Sequence, residues 1–270
     1  MEVAVLGMGL PAVYLASRLA AEGVSVTLFG GPPDMVVEPV SMATVEEFSL
    51  GDFVVGKLRF LARFDEEFHL DEERVRGAVI DVERLHRNYL RRAVEYGCEV
   101  LAGSDFHLHP ELKVTWRGSR VAVNPDLVVL EEEQGKKVPA FLVGRIPFNE
   151  DSVEFYESPR MWVVPAGKLA VVGGELDLSW HRFEQAAFIR SYSLSRVLPA
   201  GQLVGEVVRL GRAAGHTSAE GFVLEPSLYH ARLLVDLLLS GGDLKTYEKA
   251  ARMSPGGGPT SLEKWLGTVP

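Results

Sequence analysis

Six residues near the amino terminus, Gly7-Met8-Gly9-Leu10-Pro11-Ala12, limit the fold more than any other part of the chain. They make a G-x-G-x-x-A loop between a predicted strand (Glu2–Leu6) and a predicted helix (about Leu10–Glu22), with a second strand at Val24–Phe29. Gly7 can make the tight turn. Gly9 has no Cβ to hold a ligand away from the backbone, and small Ala12 lets the helix pack closely on the strand. The start of the helix offers free N–H groups and a partial positive charge, both suited to phosphate. Gly23 supplies the left-handed stop. The segment reads as a parallel βαβ unit that can hold a dinucleotide, or as the same packing device kept without one.

Composition narrows the rest. A chain of 270 residues, 47% of them hydrophobic, has room for one large α/β domain or a nucleotide-binding core with a smaller second region. A net charge of -9 works against phosphate-backbone binding, so no nucleic-acid partner is expected. No apolar run reaches the roughly 18 residues of a membrane span, and no basic leader opens the chain; a cytoplasmic protein is expected. The apolar stretch Leu233–Gly242 reads as a core helix, with peripheral membrane or partner contact as its alternative. Cys98 is the single cysteine, expected to be a buried, inert thiol. The scarcity of Gln and Asn beside many Glu and Arg hints at a thermophilic source.

Along the chain, a break at Gly30–Asp34 is followed by a mixed stretch to residue 80 that includes strand-like Lys57–Phe64. Asp81–Gly97 has helical periodicity, with Leu85, Tyr89, Leu90, Ala93 and Val94 on its apolar side. Lys113–Trp116 and Arg120–Val123 flank an Arg-Gly-Ser turn and predict a hairpin. Asp126–Leu130 reads as a buried strand ended by a solvated acidic run, Glu131–Glu133. A meander is expected over 153–176, a polar helix over Trp180–Ser193, a strand at Val207–Gly211, and a long helix to about Ser240. This pattern implies an α/β fold whose Rossmann-like core draws on both ends of the chain, 1–105 and 203–254. A mainly β-rich substrate-type region, 106–202, is inserted, and 255–270 is a tail.

Taken in order, these segments resemble the geranylgeranyl reductase family of FAD-dependent oxidoreductases, within the p-hydroxybenzoate hydroxylase-like group. The glycine loop comes first. Gly77–Val100 is similar to the family's strand leading into a helix that ends "A-x-x-x-G-a-x-v". Arg160–Gly174 resembles its Y-x-W-x-F-P stretch, with Trp162 and Pro165 retained. Leu210–Gly221 resembles the late "G-D-A-A-G…G-E-G" flavin segment, and the residues from Ser240 to Arg252 resemble the stretch after the family's next helix. The resemblance implies FAD contacts at Gly7, Gly9, Leu10, Pro11 and Ala12, and again at Gly211, Arg212, Ala213, Ala214, Gly215 and Gly221. It implies Trp162 as part of the wall for an apolar, isoprenoid-like substrate. The helix opened by the Thr217–Glu220 capping box, or by Pro226, would point its positive end at the flavin.

The departures fall on the polar contacts. The carboxylate expected to hold the adenosine ribose is Gly30, with Asp34 as a more distant substitute. The family's "A-D-G" is replaced by Leu130-Glu131-Glu132-Glu133, and the Asp of "G-D-A-A-G" is Arg212. The Tyr of Y-x-W-x-F-P is Arg160, and the chain is shorter than a typical member. FAD is therefore expected to bind weakly or not at all. Three functions stay open: a flavin-dependent oxidoreductase, a non-catalytic relative that binds or scaffolds a partner protein, and a binder of a different nucleotide. In the second, Arg212 pairs with Glu131 or Glu132 and closes the cofactor site. No catalytic residue can be named. His107 and His109 share one strand face but lack the further ligands a metal needs, so no metal is expected. His216, within the flavin-like turn, is a loop or capping histidine or a proton donor.

Overall fold

The computed structural model describes residues 1–34, 36–58, 60–63, 77–108, 112–131, 136–157, 160–176, 183–196, 203–204, 207–214 and 222–253. The chain opens with β1 (Glu2–Leu6), α1 (Leu10–Ala21) and β2 (Ser25–Gly30). Next come β3 (Val37–Ser41), α2 (Met42–Glu47), β4 (Val54–Leu58), β5 (Phe60–Arg63), β6 (Gly77–Asp81) and α3 (Val82–Glu95). Five short strands are next: β7 (Glu99–Ala102), β8 (Asp105–His107), β9 (Lys113–Trp116), β10 (Ser119–Val121) and β11 (Leu127–Leu130). The β-rich middle holds β12 (Lys136–Gly144), β13 (Ser152–Glu157), β14 (Arg160–Ala166), β15 (Leu169–Gly174) and β16 (Ala187–Arg196). β17 (Leu203–Val204), β18 (Val207–Arg209), α4 (Leu224–Leu239) and α5 (Leu244–Met253) complete it.

A mostly parallel sheet, in the order β17-β18-β11-β1-β2-β7, forms the core layer. Val3 and Val5 of β1 face α1, α3 and α4, while Ala4 and Leu6 face the other way, onto the small sheet β8–β10. That alternation is the period-2 rule of a strand buried on both faces. α1 is apolar nearly all round because it lies between the sheet and the two other helices. A six-stranded sheet, β16-β12-β15-β14-β13-β5, and a three-stranded one, β3-β6-β4, make up the rest. Both expected ends of the core meet: β1 pairs in parallel with β2 and with β11, and β11 pairs in parallel with β18. β11 falls within the stretch 106–202 yet belongs to this parallel sheet.

Three expectations are corrected. The predicted helix over Trp180–Ser193 is strand β16 over most of its described residues, paired with β12 from Lys136 to Gly144. Its sequence, AFIRSYSLSR, carries Phe188, Ile189 and Tyr192, which suit a pleated surface, and the long edge of β12 decides between strand and helix. Val94 is exposed rather than on the buried side of α3, since that face narrows to Val82, Leu85, His86, Tyr89 and Ala93. The third concerns Glu131, which is only 2% exposed and not part of a solvated turn. Pro226 falls in the first turn of α4, where its missing N–H costs nothing. The capping box Thr217–Glu220, His109, His216, Glu132, Glu133 and the tail lie outside the described residues.

Candidate functional site

The glycine loop is built as its spacing requires. Gly7 takes a φ of 119°, open to glycine, and its N–H donates to Phe29 O at 2.9 Å, locking the loop to the end of β2. Gly9 is the N-cap of α1, with Val13 N donating back to Gly9 O, and Leu10, Pro11 and Ala12 form the buried first turn. Behind the loop, buried His86 of α3 donates from Nε2 to Met8 O at 2.7 Å. A carbonyl can only accept, so Nε2 carries the proton. Burial holds this imidazole below its usual pKa, hence neutral.

In front of the loop stands Glu131. Its backbone continues β11 and is gripped on both sides: its N–H donates to Leu6 O at 2.8 Å, and its C=O accepts from Ala213 N at 3.1 Å. From there the carboxylate reaches Gly9, and Oε2 accepts the Gly9 N–H at 2.9 Å. A Cβ on Gly9 would lie 2.3 Å from Oε1, so the close approach that Gly9 permits is used by this side chain. Gly211, at φ 57°, closes the far side, because a Cβ there would come within 2.8 Å of Pro11 Cγ and 3.2 Å of Glu131 Oε1. Gly9 and Gly211 thus meet at one carboxylate, with Pro11 beside Gly211 and Ala213 bonded to the Glu131 backbone. Gly215 and Gly221 lie outside the described residues, as does the side chain of Arg212.

A second carboxylate holds the other helix start. Glu38 of β3, 2% exposed, accepts from Val223 N at 2.8 Å and Leu224 N at 2.7 Å through Oε2. α4 has no side-chain cap of its own at Val223, so Glu38 supplies one from 185 and 186 residues away. An acid inside the strand run Val37-Glu38-Pro39-Val40 was the available signal, since a buried carboxylate must find donors.

The end of β2 is held by backbone and hydroxyl contacts. Gly30 has a φ of 106°, donates to Ser104 Oγ at 2.8 Å, and accepts from Gly103 N at 2.7 Å. Asp34 does not return toward Gly30; it accepts from Ser193 N of β16 at 3.1 Å. Trp162 of β14 is 4% exposed, packs on Phe222 at 4.8 Å between ring centres, and lies over Gly173, where a Cβ would meet Cζ2 at 2.1 Å. Burial raises the pKa of Cys98 to about 12, so its thiol is a core group. Among the described residues no cluster of His, Cys, Asp or Glu could hold a metal, and no helix is long and apolar enough to cross a membrane.

No family model and no curated protein matches this chain. Solved structures do. A geranylgeranyl bacteriochlorophyll reductase-like protein from Thermoplasma acidophilum aligns over 93% of this chain and 83% of its own, with 15% identity and a TM-score of 0.72. The p-nitrophenol 4-monooxygenase PnpA from Pseudomonas putida aligns over 92% and 84%, with 14% identity and a TM-score of 0.70. The myxobacterial chondrochloren halogenase CndH, a variant of the FAD-dependent halogenases, aligns over 93% and 78%, with 14% identity and a TM-score of 0.64. With its glycine loop, its core drawn from both chain ends and its inserted antiparallel sheet, the chain has the fold of the FAD-dependent oxidoreductases, one it shares with a geranylgeranyl reductase-like protein.

Proposed function

We propose that this chain is a non-catalytic member of that fold, a binding or scaffolding protein whose dinucleotide site is closed by its own side chains. One observation carries the reading: the Glu131 carboxylate on Gly9 N, 2.9 Å away, takes the place where a dinucleotide of this fold would set its diphosphate. Two anions cannot share one amide donor in a buried site without strong repulsion. The groups present do not fit FAD in the pose the fold implies. Gly30 offers no carboxylate to the ribose, and Glu38 already accepts the first N–H groups of α4. Retention of Gly9 and Gly211 is accounted for without a cofactor, because both make room for Glu131.

The deciding experiment is the visible absorbance of the purified chain, followed by titration with FAD. A colourless protein that takes up no stoichiometric FAD supports the proposal. A yellow protein holding one FAD per chain overturns it.

A second reading is favoured by the intact loop geometry at Gly7, Gly9 and Ala12: an FAD-dependent oxidoreductase for an apolar, isoprenoid-like substrate, with Trp162 in the substrate wall. Glu131 would then have to leave Gly9 before any cofactor entered. Turnover of a prenyl substrate with reduced flavin would establish this reading in place of the first.

A further inference from the structure

Both helices whose amino termini converge on the core are capped at long range by a buried carboxylate. At α1 it is Glu131, 122 residues from its donor Gly9; at α4 it is Glu38, 185 and 186 residues from its donors. Helix starts are normally capped by a residue within the same turn. Here neither Gly9 nor Val223 caps with a side chain. Both carboxylates are 2% exposed, and the Glu131 backbone is pinned between Leu6 and Ala213. The carboxylate is therefore delivered to Gly9 by the sheet itself.

Resting on the reading above, we propose that the chain is its own ligand. Glu131 and Glu38 are internal substitutes for an oxyanion at two helix starts, and removal of the Glu131 side chain opens a site for a small carboxylate or a diphosphate. The space is bounded by Gly9, Pro11 and Gly211. The two glycines carry no side chain that could collapse into it, and the Pro11 ring is fixed in the first turn of α1. One donor there, Gly9 N–H, sits at the positive end of a twelve-residue helix.

The test compares the unmodified chain with Glu131→Gly and, should that variant fail to fold, Glu131→Ser. Thermal melting is followed with sodium formate or inorganic pyrophosphate, against sodium chloride at matched ionic strength. The unmodified chain should show no response beyond the chloride control. The variant should melt lower, regain at least half of the lost melting temperature in formate, and bind pyrophosphate at least tenfold more tightly than the unmodified chain. A folded variant whose melting and pyrophosphate binding match the chloride control overturns this inference while leaving the non-catalytic reading in place. Stoichiometric FAD on the unmodified chain overturns both.

Discussion

Gly9 and Glu131 fit each other in charge and in space. The amide of one donates to the carboxylate of the other at 2.9 Å, and the missing Cβ of Gly9 leaves the volume that Oε1 and Oε2 fill. Gly9→Ala must therefore push Glu131 aside and strand a buried carboxylate. The expected loss is about 1.5–3 kcal/mol, that of a hydrogen bond to a charged group. At about 2–4 °C per kcal/mol for a chain of this size, the loss is measurable by thermal melting. In a Glu131→Ala background the same Gly9→Ala change should cost much less. Additive losses in this double-mutant cycle would disprove the coupling.

Glu38→Ala removes the shared acceptor of Val223 and Leu224. Two buried N–H groups lose their partner, so the first turn of α4 should exchange its amide hydrogens faster, and stability should fall by about 2–4 kcal/mol. Unchanged exchange at residues 223–227 would show that Glu38 is not the cap.

Gly173→Ala should destabilise by about 1–3 kcal/mol, since its Cβ would overlap the Trp162 ring, which also packs on Phe222. Combining it with Trp162→Leu should recover part of that loss. Equilibrium urea denaturation measures both.

Acid should destabilise the fold through its buried imidazoles. Burial lowers the pKa of His230 to about 4 and also lowers that of His86. Between about pH 6.5 and about 4 the unfolded chain takes up the His230 proton and the native chain does not, so stability falls as pH falls. The slope is about 1.4 kcal/mol per pH unit for this one group, and the contribution is fully present above pH 6.5. His230→Gln should flatten the stability profile in that window. An unchanged slope would show that this imidazole is protonated in the native state.

Cys98, buried and with its thiol pKa raised to about 12, should resist alkylation in the native protein and react promptly in denaturant. Rapid native labelling, followed by mass spectrometry, would contradict its burial.

Much of the fold was legible because it rests on local rules. The βαβ unit is announced by strand periodicity, Gly7, Gly9 and Gly23, and the Val207 strand by its apolar run before a glycine turn. β16 was not, because serine and arginine between apolar residues read equally as a polar helix until β12 lies alongside. The site was half legible. Its glycines are visible as a spacing, but the group they approach is set by register across the sheet: Glu131 comes directly after Leu130, which pairs with Leu6. An acidic triplet alone says solvent, but the acid set directly after a central strand, Glu131, is drawn into the core. Glu38 escaped notice for the same reason, its donors lying far along the chain.

The distance between Gly9 and its acceptor also has a consequence for the chain as it is made. β1, α1 and β2 are complete within the first 30 residues, yet Glu131 emerges 122 residues after Gly9. At typical synthesis rates of about 5–20 residues per second, the glycine loop waits for roughly 6–24 seconds without its carboxylate. During that interval the Gly9 amide has no Glu131 carboxylate to meet, and β1 lacks its parallel neighbour β11. The contact between Gly9 and Glu131 is an event in time as well as a feature of the final shape.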